Sequence, residues 1–319
     1  MPSLSPAALV AGSGLLGAIL GAPLGMWAVR LTPLPGTPEG IQKANRFTVA
    51  LCVLASALLF AGTVHLMHVL QCQHIPEVQA DWMWRIGRIV SHLVLVSLLI
   101  VATATDFRDY TIPDIITAVG AIFGLIIATV SGDVQVVHVW VDWHAEIPGI
   151  RGPEIPEWIR HHPHWHGLAY SLAGMVAGAG ITGVVRGLSA CILGREALGL
   201  GDVTLMAMIG SFLGWQPVLI AFVLAPAFGL VVGVSIRLLG GKSYLPYGPW
   251  LAMGAVAVMW SWRWIWMFEA AWSPTSRFAV RRFFSDGIGL AIVGGIAVSV
   301  LAALLVVLRL RSHLAGRQA

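Results

Sequence analysis

Apolar runs of about twenty residues recur along the whole chain, each long enough to cross a bilayer as a helix. In lipid every backbone N–H and C=O must be satisfied within the segment, so runs of this kind fold as helices. The short alternating segments of a membrane barrel are absent. Of 319 residues 57% are hydrophobic and only 11% are charged, against about a quarter charged in a typical soluble domain. The expected fold class is therefore all-α, a polytopic transmembrane helical bundle. Candidate spans lie at roughly 7–29, 47–70, 89–105, 112–131, 168–185, 203–214, 217–236, 247–262 and 287–308. The count is eight or nine, depending on whether 203–214 and 217–236 form one segment bent at Trp215-Gln216-Pro217.

The first run, about Ala7 to Val29, has no basic residue before it and Arg30 just after it. A secretory signal peptide has the opposite arrangement, so a retained first helix with its N-terminus outside is expected. With that start, the nineteen Lys and Arg residues favour the loops assigned inside. The net charge of +4 does not indicate nucleic acid, because the basic residues sit scattered at the ends of apolar runs and form no phosphate-binding stripe. Cys52, Cys72 and Cys191 form no C-x-x-C pair, which leaves neither a disulfide framework nor a four-cysteine zinc site. Glycines at helix-packing spacing, Gly17, Gly21 and Gly25 in the first span and Gly174 and Gly178 in the fifth, predict close helix contacts.

The segment 132–166 carries Trp140, Trp143, Trp158 and Trp165 and the cluster His161-His162-Pro163-His164-Trp165-His166. Clustered histidines are candidate metal ligands, but no i,i+4 helical pair supports a site. A polar interfacial loop, with no metal and no cofactor, is the expectation.

Two carboxylates stand out against this apolar background. Asp202 lies behind two glycines in Arg195-Glu196-Ala197-Leu198-Gly199-Leu200-Gly201-Asp202-Val203, and Asp106 ends another apolar stretch. Ionisable groups at the edge of a span read by default as functional. Two predicted spans separate them, and an even number returns the chain to its starting face, so they share one side of the membrane. Paired carboxylates can hold a water between them, one taking its proton and the other donating toward a scissile carbonyl, and such a pair titrates as one dyad. Side-chain-free backbone at Gly199 and Gly201 allows a tight turn, with φ positive if needed, and close approach of an extended substrate. Asp202 on its own reads equally well as a helix cap. Asp114, after Ile112-Pro113, and Asp109 nearby read more simply as groups stabilising a helix start. Asp106 resists that reading, because a helix C-terminus repels negative charge.

These residues resemble the type IV prepilin leader peptidases, a branch of the GxGD intramembrane aspartic proteases. The family pattern has an aspartate ahead of an I/L-P-D/N element, then E-x-x-G-x-G-D and an apolar helix ending in G-W. Here these read Asp106, Ile112-Pro113-Asp114, Glu196 to Asp202, and Gly214-Trp215, with the later P-F/Y-G-P element as Pro246-Tyr247-Gly248-Pro249. The resemblance covers about residues 100–255. It implies that Asp106 and Asp202 are catalytic and that Gly199, Gly201, Glu196, Pro113 and Asp114 belong to the motif or substrate-binding set. It implies cleavage of the leader of type IV prepilin-like or pseudopilin proteins, substrates with a basic leader and an apolar helix, at the cytosolic face of a bacterial inner membrane. Membrane lipid is the other expected partner, and nucleic acid is not one.

The resemblance divides the chain into N-terminal helices over 1–105, a peptidase core over 106–255, and a Trp-rich segment with a last helix over 256–319. Many family members carry a zinc domain with two C-x-x-C pairs near the N-terminus and also methylate their product. This chain has no such pairs and only a short 30–46 loop, so N-methyltransferase activity is not expected. Thr204 stands where a lysine is common. The alternatives are a proton- or cation-coupled transporter with intramembrane carboxylates, which paired broken helices in related halves would favour, and a catalytically silent scaffold.

Overall fold

The computed structural model describes residues 5–143, 153–239, 246–271, 273 and 277–315. Residues 144–152 of the expected loop, Trp272 of the Trp-rich stretch, and Arg151, Lys242 and Arg317 of the charge count lie outside them. The chain is a polytopic helical membrane protein. Helices α1 (Pro6–Leu31) and α2 (Pro38–Val64) form an antiparallel hairpin, α2 ending in a π-helical turn at His65–Val69. Next come α3 (Trp82–Asp109), α4 (Asp114–Ser131), the short α5 (Glu157–His161) and α6 (Pro163–Leu193). Then follow α7 (Leu200–Leu213), α8 (Trp215–Leu238) and α9 (Gly248–Trp266). A small antiparallel pair, β1 (Glu269–Ala271) with β2 (Arg277–Ala279), leads through α10 (Val280–Ser285) to α11 (Gly287–Ala315). Every predicted span has its helix, usually with ends extended by several residues.

Among the described residues seven helices are long and apolar enough to cross a membrane: α1, α2 with its π-helical turn, α3, α4, α6, α8 and α11. Of the other two expected spans, α7 is an interior helix, and α9 has one buried face and exposed positions at Met253, Arg263 and Trp264. Helix α7 rises only about 21 Å, short of the ~30 Å hydrocarbon thickness, and Leu205, Met206, Met208, Ile209 and Leu213 on it have no exposed surface. It is enclosed by α4, α6, α8 and α9. The break between α7 and α8 falls at Gly214, whose φ of 82° is a left-handed conformation that disfavours a side chain, so the two are separate helices.

The predicted glycine contacts form. A Cβ on Gly17 would lie 2.3 Å from the Ser56 carbonyl oxygen, which brings α1 and α2 into backbone contact. Arg108, in the last turn of α3, ties that hairpin to the bundle by donating to Thr48 Oγ1, Asn45 Oδ1 and both oxygens of Thr32. Cys52 and Cys72 are buried, and Cys191 is exposed.

The segment after α4 departs from the polar interfacial loop expected of it. Val134, Val136, Val137, Val141 and Trp143 are buried, and the chain there is clamped from distant helices. Trp262 Nε1 donates to the Val136 carbonyl, Trp215 Nε1 to that of Val139, and Gln216 Nε2 to that of His138. Helix α6 begins at Pro163, so His164 and His166 are helical. His166 is buried, accepts from the Val139 amide through Nε2 and packs against the rings of His138 and Trp158. Buried backbone needs hydrogen-bond partners, and indole and amide side chains from α8 and α9 supply them. No group of three or more potential metal ligands occurs among the described residues.

Candidate active site

One helix end and two helix starts meet at one end of the bundle. Helix α3 closes at Tyr110, which adopts the left-handed conformation (φ 53°) and donates its amide to the Asp106 carbonyl. Asp106 therefore sits in the last turn, a residue only 5% exposed. The chain passes Ile112, takes an extended conformation at Pro113 and starts α4 at Asp114. Asp114 is an exposed first-turn residue suited to the helix dipole. Asp109 ends α3 instead of opening α4, and its carboxyl accepts from the Thr111 hydroxyl.

Asp202 is the third residue of α7. Its Oδ2 accepts from the amide of Gly199, 2.9 Å away, satisfying a donor that the helix start leaves free. The cap position belongs to Gly199, so Asp202 stabilises the helix start from the first turn. Gly199 and Gly201 do not use positive φ, contrary to the allowance made for them. Gly201 answers to close approach instead: a Cβ there would lie 3.0 Å from Ile112 Cβ and 3.3 Å from its carbonyl oxygen. Gly199 has ordinary clearance.

The loop leading into α7 is fixed from α6. Arg186 pairs with Glu196 at 2.5 Å and donates to the Leu198 carbonyl, while Ser189 Oγ accepts from the Ala197 amide. Glu196 thus acts through Arg186 on the loop, and the Arg186 charge also reaches Asp202.

The third contribution comes from the start of α9. The Gly248 amide donates to Asp106 Oδ2 at 3.0 Å, and a Cβ on Gly248 would lie 2.6 Å from that oxygen and 2.8 Å from Ile112 Cδ1. Ile112 therefore touches both the glycine next to Asp202 and the glycine that holds Asp106. The two carboxyls lie near enough for the charge of Asp202 to act on Asp106, and Tyr247 lies within reach of Asp202 as well. Among the described residues Oδ1 of each aspartate makes no hydrogen bond. Tyr247 and Gly248 carry site geometry that the sequence reading left without a role, although the Pro246-Tyr247-Gly248-Pro249 element marked their position.

The fold and this juxtaposition define a multi-pass helical membrane protein with two buried carboxyls presented together at one end of its bundle. Residues 158–234 match the type IV leader peptidase family, a segment that includes Glu196, Gly199, Gly201 and Asp202 but not Asp106. The resemblance read from the motifs is thereby borne out. The chain is 29% identical over 184 residues to a prepilin leader peptidase/N-methyltransferase of Pseudomonas putida, covering 56% of this chain and 53% of that protein. It is 37% identical over 106 residues to the protein of the same description from Pectobacterium carotovorum subsp. carotovorum, covering 29% of this chain and 38% of the relative. For the Burkholderia pseudomallei (strain 1026b) relative the identity is 38% over 110 residues, 30% of this chain and 35% of that one. The chain thus spans about half or less of these relatives' length. No solved structure matches.

Proposed function

We propose that this protein is an aspartic endopeptidase that removes the leader from type IV prepilin-like or pseudopilin proteins at the cytosolic face of a bacterial inner membrane, with residues 106–255 as its core. The observation that carries this reading is the pairing of Asp106 with Asp202. Each spends one oxygen on a backbone amide, and the other makes no hydrogen bond among the described residues. Like charges at close range do not both ionise, so such a pair holds one proton between them. The ionised member takes a proton from water, and the resulting hydroxide adds to the scissile carbonyl carbon. The protonated member donates to the carbonyl oxygen, giving a neutral tetrahedral diol. Breakdown of the diol breaks the C–N bond as one carboxyl gives its proton to the leaving nitrogen and the other carboxylate takes a diol hydroxyl proton, releasing a free acid and a free amine and restoring the singly protonated pair.

The surroundings suit a substrate with an apolar helix. A groove of about 970 Å³ runs between α2, α3 and α9, walled by Phe47, Leu51, Phe107, Trp250 and Met253. Phe107 follows Asp106 and Pro249 follows Gly248 in the chain, so the groove shares α3 and α9 with the residues that hold Asp106, although neither aspartate lines it. Glu196, Gly199 and Gly201 act in this reading by setting the position of Asp202, and Pro113 and Asp114 by starting α4 beneath Ile112. The two C-x-x-C pairs that the family resemblance ties to methylation have no counterpart in this sequence, so the proposed activity is cleavage alone.

The test is processing of a co-expressed prepilin by Asp106→Asn and Asp202→Asn variants. Each is expected to accumulate in the membrane at parental level and leave the precursor uncut. Full processing by either variant would overturn the role given to that residue.

A further inference from the structure

At the opposite end of α3, about 30 Å along the helix from Asp106, lies a second cavity of about 220 Å³. Its lining combines polar and basic groups, His68, His74, Arg85, Arg88 and Gln73, with apolar ones that include Trp82, Ile86 and Ile89.

Among the described residues the basic groups form no ion pair. Arg88 is 5% exposed, donates through Nη2 to the Asp133 carbonyl, and has a buried Nε with no partner. A buried guanidinium is costly unless it is paired and hydrogen-bonded. Arg85, one turn earlier, makes no side-chain hydrogen bond or ion pair among the described residues. Partial burial, together with the positive charges of Arg85, Arg263 and Arg88, holds the His74 imidazole below the ordinary histidine range. The nearby acids compensate little. Asp133 accepts the Asp81 amide through Oδ2 while its charge acts on Arg88, and Asp81 heads the helix. Gln73, 4% exposed, leaves Oε1 buried without a donor.

The apolar lining continues as a stripe. Trp82, Ile86 and Val90, spaced four apart on one face of α3, are 73%, 52% and 52% exposed, and they lead from the cavity toward the middle of a membrane-spanning helix. A ligand matching both kinds of lining is anionic at one end and has a hydrocarbon chain at the other.

We infer that this cavity seats the phosphate of an anionic phospholipid in the leaflet opposite the aspartate pair, with Arg85, Arg88 and His74 on the phosphate and an acyl chain along Trp82, Ile86 and Val90. The inference stands independently of the peptidase reading.

The test is native mass spectrometry of the full chain released from detergent, titrated with phosphatidylglycerol, phosphatidylcholine or inorganic phosphate alone. The comparison variant is Arg85→Gln combined with His74→Gln, two side chains that hold no structural hydrogen bond among the described residues. The parent is expected to retain one phosphatidylglycerol at least tenfold more tightly than phosphatidylcholine, and the variant to lose that preference while eluting as a folded protein. Equal retention by parent and variant would overturn the site. Equal retention of phosphatidylcholine would overturn its anionic character, and uptake of inorganic phosphate in place of lipid would overturn the lipid as occupant. Arg85→Lys, which keeps the charge, is expected to restore most of the binding.

Discussion

The amide of Gly248 donates to Oδ2 of Asp106 from 142 positions further along the chain. This bond joins the start of α9 to the end of α3 and fixes which carboxyl oxygen remains available. A methyl group at Gly248 would meet that same oxygen at 2.6 Å and Ile112 at 2.8 Å, so the two helix ends would have to part. Gly248→Ala is expected to slow prepilin processing by about tenfold to a hundredfold, the range for losing a hydrogen bond to a charged group at about 1.5–3 kcal/mol. Initial rates on a purified precursor, alongside gel filtration to show a folded protein, measure it. A parental rate would show that the contact does not set the geometry of Asp106.

Arg186 and Glu196 have unequal duties, which makes them separable. Their ion pair is half exposed on the Glu196 side, and such pairs contribute about 0–1 kcal/mol. Arg186 also holds the Leu198 carbonyl next to the cap of α7. Glu196→Gln is therefore expected to change the processing rate by less than about fivefold, whereas Arg186→Met loosens the turn before Asp202 and should lower the rate more than Glu196→Gln does. Side-by-side rates decide it, and a larger effect at Glu196 would point to direct contact with substrate.

The sequence made the helices legible because each is written as a long apolar run, and the Asp106 and Asp202 motifs because charge is rare in such surroundings. What it concealed depends on non-local contact. The residues after α4 read as a polar loop, since the indoles that satisfy their carbonyls, Trp215 and Trp262, lie on α8 and α9. Helix α7 read as a span because a helix enclosed by protein is as apolar as one facing lipid. Gly248 stood in a visible element, yet no local pattern says that its amide faces an aspartate from another helix. The glycines of the Asp202 motif suggested a left-handed turn, whereas Gly201 is needed where Ile112 leaves no room for a Cβ.

Glu77 gives a pH signature at the other end of the bundle. It lies between the π-helical turn and α3, accepts from Trp266 Nε1, and leaves Oε2 buried without a partner. Burial holds its carboxyl above the ordinary range, against the opposing effects of its hydrogen bonds and the Arg281 charge. A group that binds its proton more tightly when folded stabilises fully below its unfolded pKa, and that contribution is lost as pH rises through its folded pKa. Glu77→Gln keeps an acceptor for Trp266 and removes the ionisation. The variant should gain thermal stability relative to the parent as pH is raised from about 4 to 8, measured by unfolding in detergent. Parallel pH profiles would show that Glu77 ionises in the fold without penalty.

The position of Asp202 rests finally on how closely α6 and α7 approach. A Cβ on Gly174 would fall 1.9 Å from the Gly210 carbonyl oxygen, one on Gly210 would fall 2.0 Å from the Gly174 oxygen, and one on Gly178 would fall 2.1 Å from the Met206 oxygen. These neighbours are backbone, so no rotamer change relieves the clash. Gly183 lies on the same helix with nothing within 4 Å of the added atom. Gly174→Ala therefore pushes α7 away from α6, at about 1–3 kcal/mol for overpacking, and carries Asp202 with it. Gly183→Ala should be neutral or stabilising by up to about 1 kcal/mol, through helix propensity alone. Under the proposed mechanism a displacement of about 1 Å between catalytic groups costs on the order of a hundredfold in rate, so Gly174→Ala should lose processing out of proportion to its loss of stability. Melting temperature and processing rate measured on both variants separate the two effects. If Gly174→Ala and Gly183→Ala behave alike, the close approach of α6 and α7 does not govern where Asp202 sits.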